Sequence, residues 1–219
     1  MDPELKASMD NILRMATSRP APESTPESVQ LSEMELKRQD QARKKAQERE
    51  QWCLAGIPSR FYPVLPESID PEIWGLCEKE ESLFLHGPPG TGKTHLAVAL
   101  LKDRGARWES FITFASLLME LRNSFKDSAE RSEWKIIKHY SSVCPFVLDD
   151  LGAEKTSEFA LQSLYIIIDN RYSGMYPTII TSNLSVDEIA DKVGDRIASR
   201  IAGMCKVIEL KGKDRRIAR

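Results

Sequence analysis

The chain has 219 residues, enough for one full α/β domain with a short extension and too few for two large domains. Its apolar content of 41%, charged content of 29% and formal net charge of -2 argue against a uniformly basic nucleic-acid coat, while leaving room for a local basic face. Cys53, Cys77, Cys144 and Cys205 lie far apart with no C-x-x-C pair, which argues against a metal site or disulfide framework and points to a reducing cytosol.

No apolar run approaches the roughly 18 to 20 residues that span a bilayer. The first residues, Met1-Asp-Pro-Glu-Leu-Lys6, have neither the basic region nor the apolar core of a signal peptide. A cytoplasmic location without membrane partners is expected.

Leu5, Met9, Ile12, Leu13 and Ala16 recur at the spacing of one helix face, which predicts an amphipathic helix within residues 1–17. Such a short helix is marginal alone, so its stripe docks either on the chain's own domain or on a partner. The tether that follows, residues 18–29, is rich in Pro, Ser and Glu, cannot bury a core, and favours the partner. Residues 30–56 are dense in Glu, Gln, Lys and Arg with interspersed signs, the pattern of a solvated charged helix. Ile57-Pro-Ser-Arg-Phe-Tyr-Pro63 then punctuates the entry to the main domain, 57–219.

From there strand and helix signals alternate. Strands are expected at residues 82–87, 110–115, 145–149, 177–182 and 206–210. Helices are expected at 93–102, 116–125, 128–141, 157–172 and, as one piece, Val186 to Gly203. Alternation of this kind implies βαβ crossovers and a parallel sheet with helices on both faces. The expected fold is a five-stranded α/β sandwich.

Gly87-Pro-Pro-Gly-Thr-Gly-Lys-Thr94 matches G-x-x-x-x-G-K-[ST] in full, after one expected strand and opening an expected helix. Its glycines let backbone N–H groups wrap phosphates, and the helix N-terminus adds partial positive charge. Gly87, Pro88, Pro89, Gly90, Thr91, Gly92, Lys93, Thr94 and His95 are therefore the candidate nucleotide-binding residues. Lys93 would neutralise β and γ oxygens, and Thr94 would offer a hydroxyl to Mg²⁺.

Phe146-Val-Leu-Asp149-Asp150 ends a neighbouring apolar strand in two carboxylates. Asp149 would hold Mg²⁺, which wants hard oxygen ligands, and Asp150 would polarise the attacking water. Thr181-Ser-Asn183 closes the fourth strand, where Asn183 either orients water or caps the next helix. Arg196 and Arg200, at i and i+4 on one helix face, either pair locally or reach a neighbouring subunit's γ-phosphate.

Together, Gly87 to Ala97, Val147-Leu-Asp-Asp-Leu-Gly-Ala-Glu154, Thr181-Ser-Asn183 and Arg196-Ile-Ala-Ser-Arg-Ile201 closely resemble the DnaC/DnaI helicase loaders. They also resemble the IstB transposition helpers, which share the same AAA+ core. The resemblance runs from about Ile57 onward and implies a P-loop AAA+ sandwich with little or no C-terminal lid. It implies Mg²⁺-dependent ATP hydrolysis that is slow without assembly, with Asn183 as the first sensor and Arg200, beside Arg196, as the arginine finger.

It also implies self-association into a ring or spiral, a replicative hexameric helicase as partner, and delivery of that helicase to single-stranded DNA. The IstB alternative would instead bind duplex DNA and a transposase. DNA contacts would fall near the helices after the second strand, where Lys126, Arg131, Lys135 and Lys138 are basic and Phe125, Trp134 and Tyr140 would stack bases. Arg215 and Arg216 stand either as a second sensor or as a basic tail.

Overall fold

The computed structural model describes residues 26–125, 131–154, 156–212 and 214. The amphipathic stripe expected in residues 1–17, Lys126, Arg215 and Arg216 lie outside them. The chain divides between Gln47 and Glu48 into two compact units.

Helix α1 spans Pro26–Leu54. It begins inside the stretch expected as tether, because proline at a first helical position sacrifices no intrahelical N–H bond. Residues 34–51 are exposed, as the charge pattern requires. Within the second unit, the helix end is anchored: Gln51 Nε2 donates to Ala106 O at 2.7 Å, and the Trp52 ring lies 5.6 Å from that of Tyr62.

The remaining elements are α2 (Pro71–Cys77), β1 (Leu83–His86), α3 (Lys93–Asp103), β2 (Phe111–Thr113), α4 (Phe114–Asn123), α5 (Glu133–Ser142), β3 (Phe146–Asp149), α6 (Glu158–Ser173), β4 (Thr178–Ser182), α7 (Val186–Val193), α8 (Asp195–Met204) and β5 (Lys206–Glu209). Among the described residues the strands form one sheet in the order β2-β3-β4-β1-β5, parallel at every pairing. All strand C-termini therefore share one edge.

Alternation along each strand divides the core. Leu83, Leu85, Val147 and Ile179 face α3 and the segment from Ala55 to Val64. Phe84, Leu148 and Ile180 face α4 to α8. With both faces covered, the central strands read as continuous apolar runs, as parallel strands do.

Two departures from the sequence reading have local causes. The stretch from Val186 to Gly203 is two helices, because Gly194 sits at φ 106, a left-handed conformation that a helix interior does not hold. Helix α2 was not anticipated, although Asp70 caps it by accepting from the Glu72 N–H at 2.9 Å and Pro71 occupies its first position.

Arg171 on α6 is wholly buried. Its guanidinium donates to Tyr140 O, Val143 O and Pro177 O at 2.8–2.9 Å and to Thr178 Oγ1 at 2.8 Å. It also lies 4.5 Å from the Phe146 ring centroid. Burial pulls its pKa down to about 10, which leaves it charged at neutral pH. One side chain thus satisfies the carbonyls where α5, β3 and β4 meet. Arg171→Met is expected to cost about 3–5 kcal/mol, since four acceptors, all buried or partly buried, lose their donor while the volume is roughly kept. Chemical denaturation with ATP absent is the check, and a loss below about 1 kcal/mol would contradict it.

Candidate nucleotide-binding site

The loop after β1 turns through three left-handed glycines, Gly87 (φ 134), Gly90 (φ 78) and Gly92 (φ 99), a backbone path that side-chain-bearing residues avoid. Gly92 then caps α3, so the loop ends on a helix N-terminus. Thr91 Oγ1 donates to Pro88 O at 2.9 Å. Lys93 is buried, 7% exposed, and its Nζ donates to Gly87 O at 2.7 Å and Pro88 O at 2.8 Å. The ammonium is thereby held over the loop at which phosphates would arrive.

The next residue, Thr94, faces β3. Its Oγ1 donates to Asp149 Oδ1 at 2.9 Å, joining the phosphate loop to the second acidic motif. Thr181 Oγ1, at the end of β4, donates to the same oxygen at 2.7 Å and accepts from the Asp150 N–H at 2.9 Å. Asp150 itself is left-handed, φ 60, a conformation that aspartate tolerates better than most residues. Asn183 Nδ2 donates to Asp150 Oδ1 at 3.3 Å. Thr94, Asp149, Thr181, Asp150 and Asn183 thus form one hydrogen-bonded chain across the ends of β3 and β4 and the start of α3. It sits where the strand order reverses direction, the place at which open parallel sheets bind ligands.

Asp149 is 5% exposed. Burial raises its pKa, opposed by the hydroxyls of Thr181 and Thr94 and by the Arg60 charge, and assisted by Asp150. A hydroxyl and a carboxylate side by side are the hard oxygen donors that Mg²⁺ takes from a protein, so the residues present fit that ion. Thr94 and Asp149 would hold it, and when bound it would neutralise charge on the β and γ phosphate oxygens.

Of the two protonation states of Asp149, the carboxylate is the one that would join Thr94 as a ligand, which sets the sign of the pH dependence. A raised pKa means that protons reclaim Asp149 as pH falls, at a higher pH than for an ordinary aspartate. The protonated form favours the ligand-free fold, an advantage lost as pH rises through the folded pKa. Mg²⁺ enhancement of ATP binding is therefore expected to shrink as pH falls from about 7.5 toward the ordinary aspartate range, earlier than an unshifted aspartate would lose it. Asp149→Asn should show no enhancement at any pH in that range. Titrations with and without Mg²⁺ test this, and an enhancement constant across that range would contradict it.

Three features escaped the sequence reading. Thr181 is the hub of the hydrogen-bond chain. Lys102 clamps the entry segment, donating to Phe61 O, Tyr62 O and Val64 O at 2.8–3.0 Å with its ammonium 3.6 Å from the Trp52 ring centroid. That clamp holds Phe61 edge-on to His95, ring centroids 6.4 Å apart, and keeps the Arg60 charge within reach of Asp149. A lysine at the end of a helix and an arginine in a turn carry no sequence signal for these roles.

The two arginines of α8 have partners on α6. Arg200 Nε donates to Asp169 Oδ1 at 2.7 Å, and its guanidinium lies 4.8 Å from the Tyr172 ring centroid. Arg196 lies 6.0 Å from the Tyr165 ring centroid. Of the aromatics named for base stacking, Tyr140 is buried, 1% exposed, and its hydroxyl donates to Glu120 at 3.1 Å. It packs the core because its helix turns that face inward, so it offers no stacking surface. Phe125 and Trp134 are exposed at 62% and 64%. Lys138 lies over the Trp134 ring, and Arg131 pairs with Glu109.

The sequence model of the IstB-like ATP binding protein family matches residues 28–219. The Replicative helicase loader DnaC of Escherichia coli K12 is 31% identical over 110 residues, 49% of this chain and 44% of that protein. The Putative ATP-binding protein Rv3427c in insertion sequence, from Mycobacterium tuberculosis, is 32% identical over 123 residues, 55% of this chain and 49% of that protein. The chain thus spans about half the length of the curated relatives it matches. Among solved structures, a DnaC helicase loader superposes with a TM-score of 0.59 and 25% identity, over 70% of this chain and 100% of that one. The fold is also that of AMPPCP-bound DnaA from Aquifex aeolicus, with a TM-score of 0.56 and 20% identity, over 68% of this chain and 50% of that one. The sheet order 2-3-4-1-5 is that of an AAA+ ATPase core, and the chain belongs to the family of IstB-like ATP-binding proteins.

Proposed function

We propose that this protein is an ATP-controlled loader that binds a replicative hexameric helicase through its N-terminal segment and delivers it to single-stranded DNA. The observation that carries most weight is the likeness of its core to a DnaC helicase loader along the whole of that solved chain. In this reading the loop from Gly87 to Thr94, with His95, cradles the triphosphate. Asp150, steadied by Asn183, orients and deprotonates the attacking water. Thr181 keeps Asp149 and Asp150 in register with Thr94.

Arg200 belongs to a different task. Its guanidinium rests on α6 against Asp169 and Tyr172; in this reading it exchanges that pair for the γ-phosphate of a neighbouring subunit, and hydrolysis then requires assembly. ATP binding favours the assembled state and hydrolysis releases it, a population shift driven by the different affinities of the two states for nucleotide.

The test is helicase delivery. A hexameric replicative helicase is offered closed-circular single-stranded DNA carrying an annealed oligonucleotide, with and without this protein and ATP. The reading expects strand displacement that needs both. A second reading, an IstB-type helper that binds duplex DNA and a transposase, is favoured by the family match and by the insertion-sequence relative. Its signature would be no help to any helicase, together with ATP-dependent binding to duplex DNA.

A further inference from the structure

Two residues past β5, Leu210 and Asp214, lie against the glycine loop. The Leu210 N–H donates to His86 O at 2.8 Å, and the Leu210 carbonyl lies so close to Gly87 that any Cβ at that position would overlap it. Four residues on, the carboxyl group of Asp214 rests against Gly90. A Cβ built on Gly90 would collide with Asp214 Cγ and both of its carboxylate oxygens. The Leu210 backbone, just past β5, and the Asp214 side chain therefore line the same glycine loop, at its first and second glycines.

That loop is built to receive anions. It ends on the N-terminus of α3, its glycines at positive φ let the backbone wrap, and Lys93 stands over it. A carboxylate is the anion the polypeptide itself can supply. We propose that Asp214 is an internal competitor for the phosphate loop, resting on it in the nucleotide-free protein and displaced when the triphosphate binds.

The inference rests on the reading of the Gly87–Thr94 loop as the ATP site. Its consequence is a lowered apparent affinity, because only the fraction of molecules with Asp214 withdrawn is competent to bind. Displacement also makes ATP binding report on the C-terminal segment, so a partner that captures this segment would raise nucleotide affinity without touching the nucleotide.

The experiment is ATP binding by the full chain, in Mg²⁺, for wild type, Asp214→Asn and Asp214→Ala. It is paired with the melting temperature of each protein with and without saturating ATP. Both variants are expected to bind ATP about five- to tenfold more tightly than wild type. Their nucleotide-free melting temperature should fall while the ATP-saturated value holds, since the carboxylate is off the loop in that state. Equal falls in both states would mark Asp214 as a structural residue only and overturn the proposal. Unchanged or weakened affinity would overturn it too, leaving the ATP site standing. If no variant, wild type included, binds ATP, the reading of the loop and the proposal fall together.

Discussion

Lys93→Ala is expected to lower ATP affinity by on the order of a hundredfold or more, because the buried ammonium held over the phosphate loop is lost. The fold should survive. Nζ donates to the carbonyls of Gly87 and Pro88, and water can take over those acceptors once the side chain is cut back. Fluorescent-nucleotide titration alongside circular dichroism separates the two effects. A variant that melts like wild type and binds ATP within about threefold of it would mean that Lys93 does not meet the phosphates. Loss of the fold would mean that its bonds to the loop are structural.

The second large effect is at Arg200. Arg200→Ala should leave ATP affinity unchanged and remove about a thousandfold of the turnover seen on assembly, the range for an arginine supplied to a γ-phosphate across an interface. The pair with Asp169 does not oppose that role. Both partners are more than a third exposed or nearly so, at 38% and 33%, and exposed pairs of this kind contribute little to stability, so a phosphate can readily take the aspartate's place. The decisive form mixes inactive subunits. Lys93→Ala supplies an intact Arg200, and Arg200→Ala supplies an intact phosphate loop. Joined across an interface the two should recover a substantial part of wild-type turnover. A mixture as inactive as its components would contradict action across subunits. An Arg200→Ala protein that hydrolyses ATP normally in the assembly would remove the residue from the site.

How much of this was readable in the sequence depended on how local each signal is. The loop from Gly87 to Thr94 is contiguous, and Asp149-Asp150 and Asn183 each end an apolar strand, so pattern alone singled them out as candidates, and the fold brings Thr94, Asp149, Asp150 and Asn183 together. The strands themselves stood out because both faces of the sheet are covered, which turns each into an uninterrupted apolar run. What pattern missed is held by long-range contacts. Thr181 reaches Asp149 and Asp150 across 32 and 31 residues, and nothing about a threonine in an apolar strand announces a hub. Arg171, read simply as part of a helix, satisfies carbonyls 28 and 31 residues away. Asp214 meets Gly90 only because β5 lies beside β1. The break at Gly194 and the cap at Asp70 are different. Both carried local signals, a glycine followed by aspartate and an aspartate followed by proline, that outweigh an otherwise helical periodicity or a short length.

The central claim is that ATP hydrolysis here is coupled to a helicase on single-stranded DNA. The most direct test is the turnover of the full chain alone, with a hexameric replicative helicase, and with that helicase plus either single-stranded or duplex DNA. Lys93→Ala and Arg200→Ala run in parallel. The account predicts a stable complex with the helicase, and turnover that is low alone, rises with helicase and single-stranded DNA together, and disappears in both variants. Turnover raised by duplex DNA with no helicase bound would contradict it and move the protein to the transposition helpers.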